Sequence, residues 1–371
     1  MKIGFEAKRA FQNFTGLGNY ARFVIKTLAE NQPHNQYFLY APKAVKNPRT
    51  TFLFNLKNVF IRTAPIKILK SYWRSKGVIK ELKRDKIELF HGLSHEIPSG
   101  LKKAKIKSVV TIHDLIYLRY PQYFKWLDRK IYDFKFRSAC KNADKIIAIS
   151  EQTKTDIIRF FGTDNDKIEV IYQGCDIAFS KVVSEDDKLK IKQKYNLPDE
   201  FLLCVGSIEI RKNQLLILKA LNLLPPKINL VLVGKKTEYV EELNDFVLKN
   251  DLKSRVKILS EVPFQDLPAI YQLAKIFVYP SRFEGFGIPI LEALNCSIPV
   301  IATTGSCLEE AGGSSSIYVS PDNEEDLSEA ILKIWDNVSL QKEMILRGKE
   351  FALNFKDNKI AEDLMNLYQN I

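Results

Sequence analysis

No CxxC pair occurs among the five cysteines, Cys140, Cys175, Cys204, Cys296 and Cys307. Their odd number and their places within or beside apolar runs argue against a disulfide framework or a zinc site, and point to a reducing compartment. No stretch approaches the about 18 apolar residues of a membrane-crossing helix. The opening Met1-Lys2-Ile3-Gly4-Phe5-Glu6 lacks the charged segment, apolar run and small-residue cleavage site of a secretory signal. A cytoplasmic protein is therefore expected. Tandem repeats and low-complexity tracts are also missing.

What is present is ordinary globular composition, 46 % apolar and 27 % charged, which leaves no room for a largely disordered or fibrous chain. A length of 371 residues exceeds what one core usually organises and predicts two domains. Short apolar runs recur between longer helical patterns at 2–7, 37–41, 58–62, 87–91, 108–113, 145–149 and 168–172. A second series follows at 201–206, 229–233, 256–259, 276–280, 298–302 and 316–319. Alternation of this kind predicts an α/β chain of two Rossmann-like, doubly wound parallel sheets. The charged, strand-free interval 180–200 marks the boundary, placing domains at 1–180 and 181–355. Two such domains facing across a cleft would bind a ligand at the carboxyl ends of their strands.

Four motifs stand out, the last three at strand ends. Thr15-Gly16-Leu17-Gly18-Asn19-Tyr20 precedes a helical pattern from Ala21 to Glu30. Glycines there permit close approach of a phosphate to a helix N-terminus, and a plain structural turn is the alternative. The glycines lie too far from the first strand, and the second strand offers no acidic residue, for a dinucleotide fingerprint. His113-Asp114 ends the run Val109–Ile112, where a polar pair is placed to touch substrate; His91 and His95 occupy similar loop positions with weaker claims. Gly206-Ser207-Ile208-Glu209-Ile210-Arg211-Lys212-Asn213 sets a planar fork and a point charge at a strand-to-helix junction, against the helix dipole, which calls for a compensating anion such as a diphosphate. Glu284-Gly285-Phe286-Gly287-Ile288-Pro289-Ile290-Leu291-Glu292 commits two carboxylates to one βα unit, with the amides of Phe286 and Gly287 placed to meet phosphate.

Together with Ile149-Ser150-Glu151-Gln152-Thr153, Gln173-Gly174-Cys175-Asp176 and the run IPVIATTGSCLEEAGG, these motifs resemble, in order along nearly the whole chain, the retaining family 4 of the GT-B glycosyltransferases. The resemblance implies a sugar transfer from a nucleoside diphosphate held between the two domains, without a metal and with no cofactor beyond the nucleotide-diphosphate sugar, of GDP or UDP type. It assigns Glu284 to the donor-sugar hydroxyls, Glu292 to the ribose, Arg211 and Lys212 to the diphosphate, and His113 to the sugar near the reacting carbon. Gly16 and Gly18 would let the first domain close on the donor, while Ser207, Phe286, Gly287 and Leu291 complete the donor site. The terminal helix, 356–371, is expected to return to the first domain. This chain departs from many relatives at Ser207 and Asn19, where arginine is common, and at Gln173 and Cys175. The form of the GSIEIRKN segment favours mannose, with glucose and other hexoses open.

The net charge of +12 is uneven, since 13 Lys and Arg stand against 4 Asp and Glu between Arg62 and Lys107. The stretch from Lys67 to Lys80 mixes cations with aromatic and apolar residues and reads as a helix able to dock on anionic lipid, which suits a glycan or lipid-linked acceptor of the cell envelope and a peripheral place at the inner membrane face. A solvated basic helix covering the sheet is the plain alternative. Nucleic acid is not expected, because no recognition motif accompanies the charge. A sugar-nucleotide epimerase of the same architecture and an inactive nucleotide-sugar binder are the competing functions.

Overall fold

The computed structural model describes residues 1–65 and 69–371. Its contacts divide the chain into two compact units, one of residues 1–174 with 355–371 and one of residues 175–354. The division falls between Gly174 and Cys175 rather than at 180, and the strand-free interval holds the helix Glu185–Tyr195 of the second unit. Ser184 caps that helix by accepting from the Asp187 amide, three acids occupy its first turn, and Asn196 ends it in a left-handed conformation.

Unit 1 is a seven-stranded sheet of order β3-β2-β1-β4-β5-β6-β7. Its strands are β1 (Lys2–Glu6), β2 (Gln36–Ala41), β3 (Val59–Thr63), β4 (Leu89–Gly92), β5 (Lys107–Ile112), β6 (Lys145–Ala148) and β7 (Ile168–Val170). Unit 2 carries β8 (Phe201–Val205), β9 (Asn229–Val233), β10 (Val256–Leu259), β11 (Ile276–Tyr279), β12 (Val300–Thr303) and β13 (Ile317–Val319), in the order β10-β9-β8-β11-β12-β13. Every pairing is parallel. Central strands such as β9 and β11 are buried along nearly their whole length because helices cover both faces, the physical basis of their unbroken apolar runs. The order reverses between β1 and β4 in one sheet and between β8 and β11 in the other, and ligands in such sheets bind beside these switch points.

The helix that the sequence pattern begins at Ala21 begins at Gly16 and runs to Asn31. Its early start is made possible from outside: Asn13 Oδ1 accepts from the amides of Thr15 at 2.9 Å and Gly18 at 3.1 Å. Helix Asp357–Gln369 lies within unit 1 and buries Ile360, Ala361, Leu364, Met365, Leu367 and Tyr368, each large apolar side chain contributing about 1.5–3 kcal/mol.

The basic stretch is helical from Lys70, as Lys70–Tyr72, a π turn at Trp73–Gly77 and Val78–Arg84. Lys67 and Ile68 lie outside the described residues. Trp73 is a core residue whose Nε1 donates to Glu81 Oε1 at 2.8 Å, while Lys76, Lys80, Lys83 and Arg84 are exposed. No disulfide joins any of the five cysteines among the described residues. Among the described residues no helix is long and apolar enough to cross a membrane.

Candidate active site

In unit 2 the switch point sets two loops side by side, Gly206–Asn213 after β8 and Pro280–Gly287 after β11. The Arg282 amide donates to the Arg211 carbonyl at 2.9 Å and stitches the loops together. Arg211 and Lys212 belong to a short 3-10 turn, Ile210–Lys212, and Asn213 adopts a left-handed φ of 57° before the helix Gln214–Leu223 starts. Asn213 Nδ2 donates to the Pro321 carbonyl at 2.8 Å, fixing this turn.

Both cations converge on one carboxylate oxygen. Glu284 Oε1 lies 2.5 Å from Lys212 Nζ and 2.8 Å from Arg211 Nη1, and it also accepts from Ser281 Oγ at 2.5 Å. Tyr279 OH lies 3.2 Å from the same oxygen and accepts from Lys212 Nζ at 2.6 Å. Arg211 Nη2 is paired with Glu209 Oε1 at 2.7 Å. Burial pushes the Glu284 carboxyl up, but Arg211 and Lys212 outweigh it and hold the group at about 2. The ion-paired state of Arg211, in turn, is held against its burial chiefly by Glu284 and Glu209.

The second carboxylate of this βα unit behaves oppositely. Glu292, in the helix Ile288–Asn295, has no cation beside it among the described residues, and burial raises it to about 7 although Tyr271 OH donates to Oε2 at 2.7 Å. Two acids eight residues apart thus sit in environments that drive them in contrary directions, one held ionised at neutral pH and one poised near neutrality. Gly287 caps the helix with φ of 134°, a conformation favouring glycine, and a Cβ there would meet Ala311 Cβ at 3.0 Å. Phe286 is buried beside it, and Ser207 is half-buried with its carbonyl accepting from Gln214 Nε2 at 3.0 Å. Leu291 is fully buried. Two polar groups beside these loops have no hydrogen-bond partner among the described residues, Ser306 Oγ and Gln214 Oε1.

The remaining candidates belong to unit 1. His113 follows β5, and its Nε2 donates to the Leu93 carbonyl at 2.9 Å, which leaves Nδ1 as the acceptor of a neutral ring. Burial lowers its pKa to about 4. The ring meets Tyr20 edge-on at 4.6 Å. Asp114 Oδ1 accepts from the Ile116 amide at 3.1 Å, a turn-forming role. His91 is bracketed by Tyr368 OH at 2.6 Å and Thr111 Oγ1 at 2.7 Å and is a core residue. A Cβ at Gly18 would lie 1.8 Å from the Asn13 carbonyl oxygen, whereas a Cβ at Gly16 meets nothing within 4 Å. Gly18 is therefore required by the loop itself, and only Gly16 faces open space. Asn19 Oδ1 accepts from Arg22 Nη2 at 2.6 Å, and Arg22 also donates to the Ala10 and Asn13 carbonyls. Tyr279, Ser281, Tyr271 and Arg22 were not singled out by sequence; the dyad Tyr279-x-Ser281 leading into the glutamate loop was the one signal available.

Known proteins share this organisation. Residues 14–179 match the family model of Glycosyltransferase Family 4, and residues 185–351 match that of Glycosyl transferases group 1. The O-antigen chain mannosyltransferase B of Escherichia coli is 27 % identical over 385 residues, covering 100 % of both chains. The O-antigen chain mannosyltransferase RfbU of Salmonella typhimurium is 30 % identical over 264 residues, 71 % of this chain and 69 % of that one. Among solved structures, HepE of Anabaena in complex with UDP and glucose superposes with a TM-score of 0.78 at 19 % identity, covering 100 % of each chain. The chain belongs to glycosyltransferase family 4, and its two doubly wound units are those of a GT-B glycosyltransferase.

Proposed function

We propose that this glycosyltransferase moves a hexose, mannose or glucose, from a GDP or UDP donor to a glycan or lipid-linked acceptor in cell-envelope polysaccharide synthesis, with retention of the anomeric configuration and without a metal ion. The observation that carries the reading is the convergence of Arg211 and Lys212 on Glu284 Oε1. A carboxylate here holds the place that a diphosphate oxygen would compete for, and each charge-assisted contact is worth about 1.5–3 kcal/mol. Mannose is favoured by the O-antigen mannosyltransferases among the relatives, and glucose by the neighbour solved with UDP-glucose.

In this reading the bond from the anomeric carbon to the diphosphate oxygen breaks as the acceptor oxygen attacks from the same face, and the acceptor proton passes to the departing diphosphate. Arg211 and Lys212 stabilise the charge building on that leaving group, and Glu284 accepts from hydroxyls of the donor sugar. Glu292 accepts from ribose hydroxyls, and neutral His113 offers Nδ1 to a sugar hydroxyl. The basic region 62–107 attracts the protein to an anionic membrane surface.

The test is thermal unfolding of the chain with GDP, UDP, ADP and TDP and their sugars, repeated on Arg211→Ala, followed by transfer assays in EDTA with the anomer read by NMR. A base-selective rise in melting temperature, lost in the variant, and EDTA-resistant transfer with retention are expected. No shift with any nucleotide would refute the reading.

A further inference from the structure

Helix Trp126–Asn142 of unit 1 turns large apolar side chains outward. Trp126 is 68 % exposed, Leu127 61 %, Ile131 43 % and Phe134 76 %, while its other face, Phe136, Ala139 and Cys140, is buried. Leu127, Ile131 and Phe134 follow the i, i+4, i+7 spacing of a single stripe. Between 125 and 142 stand six Lys and Arg against two Asp, so the stripe is rimmed by cations.

Beside the stripe a groove of about 380 Å³ is lined by Leu118, Trp126, Arg129, Lys130, Asp133 and Arg137. Asp133 is engaged by Arg137 at 2.9 Å, whereas the buried Nε of Arg129 has no hydrogen-bond partner among the described residues. An unspent guanidinium donor next to a second cation and two apolar walls fits an anionic oxygen attached to a hydrocarbon. Glu96 pairs with Lys135 of this helix at 3.0 Å and also with Arg74 of the basic stretch, so the groove adjoins the charge of the 62–107 region. That region supplies cations and exposes Leu69 and Tyr72, but its Trp73 is buried; the larger exposed apolar surface, with four such side chains, is on helix Trp126–Asn142.

We propose that this groove seats the phosphodiester of an anionic bilayer lipid against Arg129 and Lys130, with Leu127, Ile131 and Phe134 entering the headgroup–acyl boundary. The site deepens the peripheral-membrane part of the proposed function and is independent of the donor chemistry. A soluble phosphate uses only the cations and a neutral lipid only the stripe, whereas an anionic lipid uses both.

The experiment is flotation of the full chain with phosphatidylcholine vesicles with and without phosphatidylglycerol, together with tryptophan fluorescence. Trp73 and Trp335 are buried, so Trp126 reports insertion. Binding to the anionic vesicles with a blue shift that is absent in Trp126→Phe is expected. Ile131→Ser/Phe134→Ser should lose about tenfold in affinity or more, and Arg129→Gln/Lys130→Gln should lose the preference for phosphatidylglycerol. Lys102→Gln/Lys103→Gln, in the basic region, should lower affinity only a few-fold and leave the blue shift. All variants should keep the nucleotide-induced thermal shift, which separates failure here from failure of the transferase reading. Equal binding by wild type and both helix variants would overturn the proposal. So would glycerol phosphate in solution displacing the vesicles, or a wild-type dimer that Phe134→Ser dissociates.

Discussion

Lys212 Nζ lies 2.5 Å from Glu284 Oε1, so the cation assigned to the donor diphosphate is already satisfied by a carboxylate of its own chain. An incoming diphosphate competes with that carboxylate. Glu284→Gln, which removes the competitor's charge, should therefore bind GDP or UDP as tightly as wild type or more so, while transfer falls by about a hundredfold or more. Arg211→Ala and Lys212→Ala should instead weaken nucleotide binding by about tenfold or more each. Calorimetric titration separates the cases: weakened nucleotide binding by Glu284→Gln contradicts the competition.

The same contact predicts an acid limb of stability. The Glu284 carboxyl is held at about 2, below its ordinary 4.5, so the folded state binds this proton less readily than the unfolded chain. Its contribution, on the order of 3 kcal/mol, is fully present above about pH 4.5 and is lost as pH falls through about 2. Denaturant melts of wild type and Glu284→Gln between pH 6 and pH 3, with pH chosen on the scale of these two values, should converge on acidification. Parallel curves would remove Glu284 from the account.

Most of the scaffold was legible in the sequence, because strands such as β9 and β11 are buried on both faces and leave unbroken apolar runs. The glutamate loop and the Arg211-Lys212 pair were legible too, being contiguous in the chain. What sequence did not show was partnership at a distance. Tyr271 reaches Glu292 from another helix, and Ser281 and Tyr279 hold Glu284 through the bend of one loop. Facing was hidden for a similar reason: Trp73 sits in a basic run with its ring inside, while Leu69 and Tyr72 of the same run are exposed, and the sequence pattern does not give the face. Leu291 lies in the donor motif and its side chain is buried, since a helix beside a site still needs a packed side.

Glu292 gives a pH dependence of opposite sign. Burial raises it to about 7 from an ordinary 4.5, so the neutral acid is favoured in the fold and its stabilising effect is lost as pH rises through about 7. Ribose hydroxyls donate better to the carboxylate, so binding a nucleotide sugar should expel the proton. Affinity for the nucleotide sugar, whose diphosphate has no group titrating near neutrality, is expected to strengthen as pH rises through about 7. Calorimetry in buffers of different ionisation enthalpy should record proton release near that pH, and Glu292→Gln should bind more weakly with no release. Release undiminished in the variant would assign it elsewhere.

The two glycines of the first motif separate structure from function. A Cβ at Gly18 would stand 1.8 Å from the Asn13 carbonyl oxygen, a backbone atom that is held in place by Arg22 Nη1 at 2.8 Å. Gly18→Ala must displace that loop and should lower stability by about 1–3 kcal/mol. Gly16→Ala meets open space at the first helical position and should be neutral or stabilising by up to about 1 kcal/mol, because alanine is the better helix former. If Gly16 is small so that a diphosphate can approach, Gly16→Ala keeps its melting temperature without ligand, loses the rise that nucleotide sugar causes, and raises donor KM with little change in fold. A Gly16→Ala enzyme with wild-type KM would leave this residue without a part in donor binding and make the whole motif a structural turn built around Gly18 and Asn13.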